Sequence, residues 1–405
     1  VLAYLVCIFL IGVPILAAEI LLGRAGRQSP INSMRNLAHQ SGTSSFWQLI
    51  GWMGALAGFM ILSFYAVIAG WAMSYIVEMA SGNFVGTDAN RASQVFGEFT
   101  ADAVSVVGWH TLFMALTIYI AARGVGRGLE TTVRYLMPAL FVLLLMLVFY
   151  SALATGHFKE GLMFLFSPDL DAFSTDSLLV AMGQAFFTLS LGMGAIMAYG
   201  AYMPKDTSII GTATTIALLD TSVALLSGMI IFPLVFANGL QPSEGPGLMF
   251  ITLPIAFGQM PGGQIFGALF FVLVSFAAIT SSISLMEPAV AWVVEKLAVT
   301  RAKGAVLVGI IAWFVGLGSA FSFNIGADFT LLSGMTFFDT MDYLSNNILL
   351  PLGGMLIAIF AGWFLKDQIV EDELAGDKAW SNLWRVITRF VAPTGVMVVF
   401  VMTFL

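Results

Sequence analysis

Charge is what this sequence has least of. Asp, Glu, Lys and Arg make up 10% of its 405 residues and 59% are hydrophobic, whereas ordinary soluble domains are about 25% charged. That much apolar surface has to face lipid, so the chain reads as a polytopic membrane protein. A single cysteine, Cys7, excludes an intrachain disulfide and any CxxC-type metal site. It reads as a packed apolar residue. The three histidines, His39, His110 and His157, fall in different loops or span ends with no HExxH pair. Neither a G-x-S-x-G elbow nor a P-loop occurs. An ATP-driven pump would lack its engine, and an intramembrane hydrolase would lack a buried acid pair or a base beside a nucleophile. No basic nucleic-acid-binding stretch, low-complexity tail or soluble domain is visible. A secondary transporter, a channel or an inert membrane component remain.

Windows of about 20 apolar residues place ten spans, at 1–22, 51–80, 107–122, 132–155, 178–202, 209–237, 265–294, 304–323, 343–365 and 383–405. If these alternate across the bilayer, one side receives only Arg91 and Lys159 and the other all remaining Lys and Arg. Such a bias is the positive-inside signal, and one missed span would scramble it. It places the basic side in the cytoplasm and residues 1 and 405 outside. The chain opens without Met inside a hydrophobic run, VLAYLVCIFLIGVPILAAEILLGR. The run lacks the basic start of a signal peptide, and Pro14 and Glu19 do not suit one. An inside-to-outside span is expected to precede Val1.

Polar side chains at span middles are costly in lipid and usually face a cavity. Here they are Glu19, Tyr65, Gln184, Thr188, Ser190, Asp220, Thr221, Ser222, Thr280, Ser281, Ser282 and Glu287. They form no repeated ring of like charges, as a cation pore would show. They gather at the middles of particular spans, which favours a compact binding site.

Three stretches carry that reading. In FFTLSLGMGA, 186–195, Gly192 and Gly194 each cost about 1 kcal/mol in a helix interior and tolerate non-helical dihedrals. The segment can unwind, and unwound backbone survives at membrane depth only where it lines a cavity. Its freed carbonyls then suit Na⁺ or an ammonium, and its half-helix N-terminus suits a carboxylate. The bland alternative is a small-residue face for close helix packing. In FAAITSSISLMEP, 276–288, hydroxyls can satisfy themselves on nearby carbonyls. Adjacent hydroxyls plus a carbonyl are also a hard-oxygen set suited to Na⁺. In IALLDTSVALL, Asp220 is a lone mid-span carboxylate with no Lys or Arg in any span core. A bound cation is its natural partner, and protonation is the competing solution.

Six stretches in order, GVPILAAEILLGR, FYAVIAGW, GQAFFTLSLGMGA, GPGLMFITLPIAF, AAITSSISLMEP and FFDTMDYL, resemble the sodium:neurotransmitter symporter family, in its bacterial amino-acid-transporting branch. The resemblance implies an all-α polytopic membrane protein with an inverted-repeat transporter fold, five helices in each half and discontinuous helices at the midplane. It makes span 1–22 the family's second helix, span 178–202 its broken sixth and span 383–405 its eleventh. The first broken helix is then expected to be missing. Within a single transmembrane domain, 1–155 would be the rest of the first repeat, 178–365 the second and 383–405 an extra terminal helix.

The resemblance further implies sodium-coupled symport of a neutral, hydrophobic or aromatic amino acid by alternating access, with no enzymatic activity. A non-transporting receptor of the same fold, or an inactive fragment, is the alternative. One Na⁺ site would use Thr188 and Asp220; the other would use the Ala277 carbonyl, Thr280 and Ser281. The Asp220 carboxylate stands where many members have Asn and depend on chloride, so chloride is not expected. Substrate would meet the Tyr65 hydroxyl, with Ile61, Phe187, Thr188, Ser190, Met193, Ser281 and Leu285 around it. Asp342 and Gln184 would belong to an outer gate, Tyr202 and Glu295 to a cytoplasmic one. Glu19 would accept N–H groups freed around Gly192. The apolar loop SEGPGLMFITLPIAFGQMPGG should fold as an outer lid. A bacterial plasma membrane is the expected location, with lipid and a small-molecule amino acid as partners.

Overall fold

The computed structural model describes residues 1–124, 130–167, 174–237, 239 and 245–402. Its helices in chain order are α1 (Leu2–Gly26), α2 (Pro30–Gln40), α3 (Ser45–Ala80), α4 (Ala89–Ala101), α5 (Ala103–Ala122), α6 (Glu130–Ala154), α7 (Phe158–Phe166) and α8 (Thr175–Thr188). They continue with α9 (Ala195–Gly200), α10 (Ile209–Ala237), α11 (Leu248–Gly258), α12 (Gly263–Leu297), α13 (Arg301–Phe321), α14 (Phe337–Phe364), α15 (Asp367–Glu373) and α16 (378–402). Among the described residues the one β feature is an isolated bridge between Thr330 and Thr336.

Seven helices, α1, α3, α5, α10, α12, α13 and α14, are long and apolar enough to cross a membrane by themselves. The other three expected spans depart from a simple rod for separate reasons. The span at 132–155 is followed by Gly156, in the left-handed region at φ 69°, and α7 turns across the end of α6 with a bend of 115°. The span at 178–202 is split into α8 and α9, each too short to cross. The span expected at 383–405 lies in α16, which carries Lys378, Arg385 and Arg389 near its start, and residues 403–405 lie outside the described residues.

Proline shapes the long helices. Four turns widen to i→i+5 spacing shortly before a proline: Ile8–Gly12 before Pro14, Leu248–Thr252 before Pro254, Leu344–Leu349 before Pro351 and Ile387–Val391 before Pro393. Proline lacks an N–H and its ring clashes with the carbonyl four residues back. That carbonyl lies inside the widened turn in each case, so the turn relieves the clash without ending the helix.

The spans alternate in direction, as hydrogen bonds between their connections show. At the basic end, Ser29 on the α1–α2 link bonds Glu295 of α12, and Arg301 at the start of α13 donates to the Ala121 carbonyl of α5 at 3.0 Å. At the opposite end the Gly86 N–H donates to the Gly258 carbonyl, and Asn324 donates to the Thr100 carbonyl. The loop expected as a lid folds there as α11, with Phe250, Leu253, Ile255 and Phe257 buried. Its Phe250 ring lies 5.0 Å from Tyr75 and 5.6 Å from Phe96 between centroids. Residues 243 and 244 of that loop lie outside the described residues.

The basic end is locked by α15 and its exit. Arg24, 2% exposed, pairs with Glu373 at 2.5 Å and also donates to the carbonyls of Glu373, Pro204 and Thr207. The Asp377 carboxylate accepts from the Ser208 hydroxyl at 2.5 Å and from the N–H groups of Ile209 and Ile210 at 2.9 and 3.3 Å. A carboxylate from a distant segment thus caps the N-terminus of α10, where it meets both orphan N–H groups and the positive end of the helix dipole. Asp377→Ala is expected to lower stability by about 1–3 kcal/mol. This would be read as an earlier midpoint of heat-induced loss of monodisperse protein in detergent, and an unchanged midpoint would refute the cap.

Candidate functional site

Of the three apolar cores among the described residues, two meet at the gap between α8 and α9. One core joins α1, α8, α10, α14 and α16 and takes Leu189 and Leu191 from the gap. The other joins α3, α5, α12 and α13 and takes Met193 and Ala195. Between them the backbone leaves helical geometry at Ser190 (φ 56°), Gly192 (φ 77°) and Gly194 (φ 71°). Gly192 and Gly194 are the residues from which the break is expected, and Ser190 joins them. Ser190 is the costly member, because a side chain in the left-handed region is strained by roughly 1 kcal/mol or more.

Glycine is also required by crowding. A methyl on Gly192 would come within 2.5 Å of the Leu350 carbonyl oxygen of α14. A methyl on Gly54 of α3 would come within 2.9 Å of the Gly194 nitrogen. The break is therefore clasped backbone-to-backbone from opposite sides.

Three N–H groups at the start of the break find carbonyls nearby. Leu189, Ser190 and Leu191 donate to the carbonyls of Ala185, Phe187 and Phe186. The Gly192 N–H instead donates to the Glu19 Oε1 of α1 at 2.6 Å. Glu19 is 0% exposed, so this bond forms away from water.

Five of the residues expected around a substrate share one apolar cluster. Ile61, Met193 and Leu285 are buried members of the second core, with Tyr65 and Phe187 packed against it. The Tyr65 phenol faces the Ser281 hydroxyl, so polar atoms meet at one side of an otherwise apolar wall. Ser190 lies at the left-handed corner of the break, next to Leu189.

The expected sodium-binding oxygens are brought together as pairs. Thr188 donates to Asp220 Oδ2 at 2.7 Å, which joins the end of α8 to α10. Thr280 donates to the Ala277 carbonyl at 2.8 Å within α12, the self-satisfied arrangement open to any helical threonine. No group of three or more His, Cys, Asp or Glu is assembled among the described residues. The oxygens on offer are hydroxyls, carbonyls and one carboxylate, a donor set for a hard monovalent cation rather than a transition metal.

Comparisons with known proteins bear on the family and the fold. The family model described as the sodium:neurotransmitter symporter family matches residues 94–405. The chain belongs to that family. It is 37% identical over 395 residues to an uncharacterized sodium-dependent transporter of Bacillus subtilis (strain 168), covering 96% of this chain and 86% of the relative. It is 32% identical over 410 residues to an uncharacterized sodium-dependent transporter of Haemophilus influenzae, covering 99% and 89%. Among solved structures it matches that of MhsT in complex with L-phenylalanine with a TM-score of 0.91 at 42% identity, over 99% of this chain and 90% of that one. The molecule is thus a multi-pass, sodium-coupled symporter with the all-α inverted-repeat fold and a discontinuous helix, and its relatives are transporters rather than enzymes.

In this symporter the positions expected for gates are held by distinct networks. Asp342 of α14 is half-buried and accepts from the Asn346 side chain one turn on, at 2.7 Å, while Gln184 of α8 is exposed. At the basic end Glu295 accepts from the Ser29 N–H and hydroxyl at 2.7 and 2.5 Å and from Asn32 at 2.6 Å. Tyr202, 60% exposed, reaches Glu287 rather than Glu295, at 3.4 Å. Glu287 is gripped by Arg301 through two bonds of 2.9 and 2.5 Å.

Sequence reasoning singled out Glu287 without its partner, because Arg301 opens the next helix rather than lying within a span. It also missed Tyr4 of α1, whose buried phenol lies beside Asp220, Thr188 and Thr221. A phenol four residues into an apolar run resembles an interfacial anchor, so nothing local marks it.

Glu19→Gln keeps an acceptor oxygen but buries an amide NH2 where the second carboxyl oxygen has no partner, at a cost of about 1–3 kcal/mol. Sodium-driven uptake is expected to fall several-fold in folded protein. Glu19→Leu strands the Gly192 N–H and should lose transport altogether. Wild-type uptake rates in both variants would show that the bond has no part in transport.

Proposed function

We propose that this symporter carries neutral amino acids with hydrophobic or aromatic side chains. The observation that carries the reading is the wall formed by Ile61, Tyr65, Phe187, Met193 and Leu285. These residues come from three separate segments yet fall into one apolar cluster, and none is charged. A charged substrate side chain would be buried there without a partner, at a cost of several kcal/mol. The match to a structure of MhsT with L-phenylalanine supports the same class. Tyr65, Ser190 and Ser281 supply polar atoms for the zwitterionic end, and flexible Met193 adapts to side-chain shape.

Two sodium ions are cotransported in this reading. One takes oxygens of Thr188 and Asp220, and the other takes the Ala277 carbonyl with Thr280 and Ser281. Thr188 and Ser281 belong to both the ion and the substrate sets. Coupling follows from that sharing: an ion that turns a hydroxyl toward itself also fixes the wall of the pocket. Asp220 carries the negative charge that a chloride ion would otherwise supply, so transport proceeds without chloride.

Alternating access then exposes the break in turn to each side. Asp342 and Gln184 gate the outer path, and Tyr202 and Glu295 gate the cytoplasmic one. The basic end faces the cytoplasm of a bacterial cell, which leaves residues 1 and 405 outside, with 1–155 in the first repeat and 178–365 in the second.

The deciding measurement is uptake of radiolabelled phenylalanine or leucine into proteoliposomes under an inward Na⁺ gradient. Uptake should require Na⁺ over K⁺, survive replacement of chloride by gluconate, and be inhibited by neutral hydrophobic amino acids but not by glutamate or lysine. Asp220→Asn is expected to raise the Na⁺ concentration for half-maximal uptake at least tenfold or to impose a chloride requirement. Inhibition by a charged amino acid at comparable concentration would remove the apolar-substrate reading.

A further inference from the structure

The hydroxyls of α12 are held from three directions. Ser281 is met by Tyr65 of α3, Ser282 by Thr117 of α5, and Ser284 by Tyr199 of α9 at 2.9 Å. Two of these partners belong to surfaces that participate in transport, since Tyr65 lines the pocket and Tyr199 lies on the broken helix. Thr117 belongs to neither. It is 0% exposed, as is Ser282, and the two hydroxyl oxygens are 2.9 Å apart. Ser282 donates its own proton to the Ile279 carbonyl at 2.8 Å, so Thr117 must be the donor between the helices.

Ser282 directly follows Thr280 and Ser281. Successive side chains on a helix are spaced by about 100°. Pinning the Ser282 hydroxyl to α5 therefore sets the azimuth of the two preceding oxygens as well. The packing around the pin is apolar: Ile279 and Ile283 of α12 and Phe113 and Met114 of α5 belong to one buried cluster. Branched aliphatic side chains hold two helices together but resist rotation weakly, whereas a directional bond between buried hydroxyls resists it strongly. An oxygen about 4 Å from the helix axis moves ~0.7 Å for each 10° of rotation. Metal–ligand distances tolerate only about 0.2 Å. A few degrees of slack in α12 is enough to spoil an ion site built on its hydroxyls.

We propose that Thr117 is a positioning residue for sodium: through Ser282 it sets the rotation of α12 at which the Ala277 carbonyl, Thr280 and Ser281 converge on the ion. The inference rests on the assignment of that second sodium site above. It gives α5, which contributes no residue to pocket or ion, a definite part in coupling.

The test is the Na⁺ dependence of amino-acid uptake and of amino-acid binding in proteoliposomes for wild type, Thr117→Val, Thr117→Ser, Ser282→Ala and the Thr117→Val/Ser282→Ala double variant. Thr117→Val keeps the shape and removes the donor. It should raise the half-maximal Na⁺ concentration about three- to tenfold while leaving the half-maximal amino-acid concentration at saturating Na⁺ unchanged. Ser282→Ala should give the same shift, the double variant no further one, and Thr117→Ser should restore wild-type behaviour. If Thr117→Val fails to fold, Ser282→Ala carries the same prediction from the other helix. An unchanged Na⁺ dependence in variants that only melt earlier would overturn the proposal and leave a packing bond. Thr280→Ala and Ser281→Ala test the underlying site separately: if neither alters Na⁺ dependence, the assignment of the site itself falls.

Discussion

A peptide N–H inside a lipid bilayer has no water to fall back on, and this fold is organised around one such group. Gly192 sits where the backbone leaves helical geometry, and its N–H is met by the Glu19 carboxylate at 2.6 Å. Each side of that bond makes the other tolerable. A buried carboxyl oxygen needs a donor, and an unwound backbone N–H needs an acceptor. The bond also ties α1 to the broken helix, so the strained φ angles at Ser190, Gly192 and Gly194 are held by partners from outside the segment.

The position of the break between two apolar cores gives the strain its use. Leu189 and Leu191 anchor in the core built on α1, α10 and α14, and Met193 and Ala195 anchor in the one built on α3, α5, α12 and α13. A continuous helix could not alternate its anchors between the two in this way, because its side chains repeat at 3.6 residues. The two cores are therefore joined through the broken segment itself. Thr188 closes the circuit from the α8 end through its 2.7 Å bond to Asp220.

Much of this was legible in the residues themselves. The cost of glycine in a helix and of polar groups in lipid located the break, and the lone Asp220 stood out as a mid-span carboxylate that the structure pairs with Thr188. The basic-side bias supported alternating spans, and the bonds between connections show the same alternation. What the windows of hydropathy could not resolve was the shape of three spans: the bend after α6, the gap within 178–202 and the charged start of α16. An average over about 20 residues is blind to a turn made by one or two of them. The same averaging hid Tyr4, whose polar atom is one among many apolar neighbours.

The sequence by itself determined the seven helices long and apolar enough to cross a membrane and where one further apolar segment must open. Those outcomes depend on the transfer cost of a segment's own groups, and any arrangement of neighbours would face the same cost. Partner choice was decided only by the tertiary structure. Glu19 reaches Gly192 across 173 residues, Thr117 reaches Ser282 across 165, and Tyr202 takes Glu287 over Glu295 although both acids lie on α12. Such pairs depend on helix rotation and crossing, which are fixed by the joint packing of whole faces and leave no mark at either residue alone.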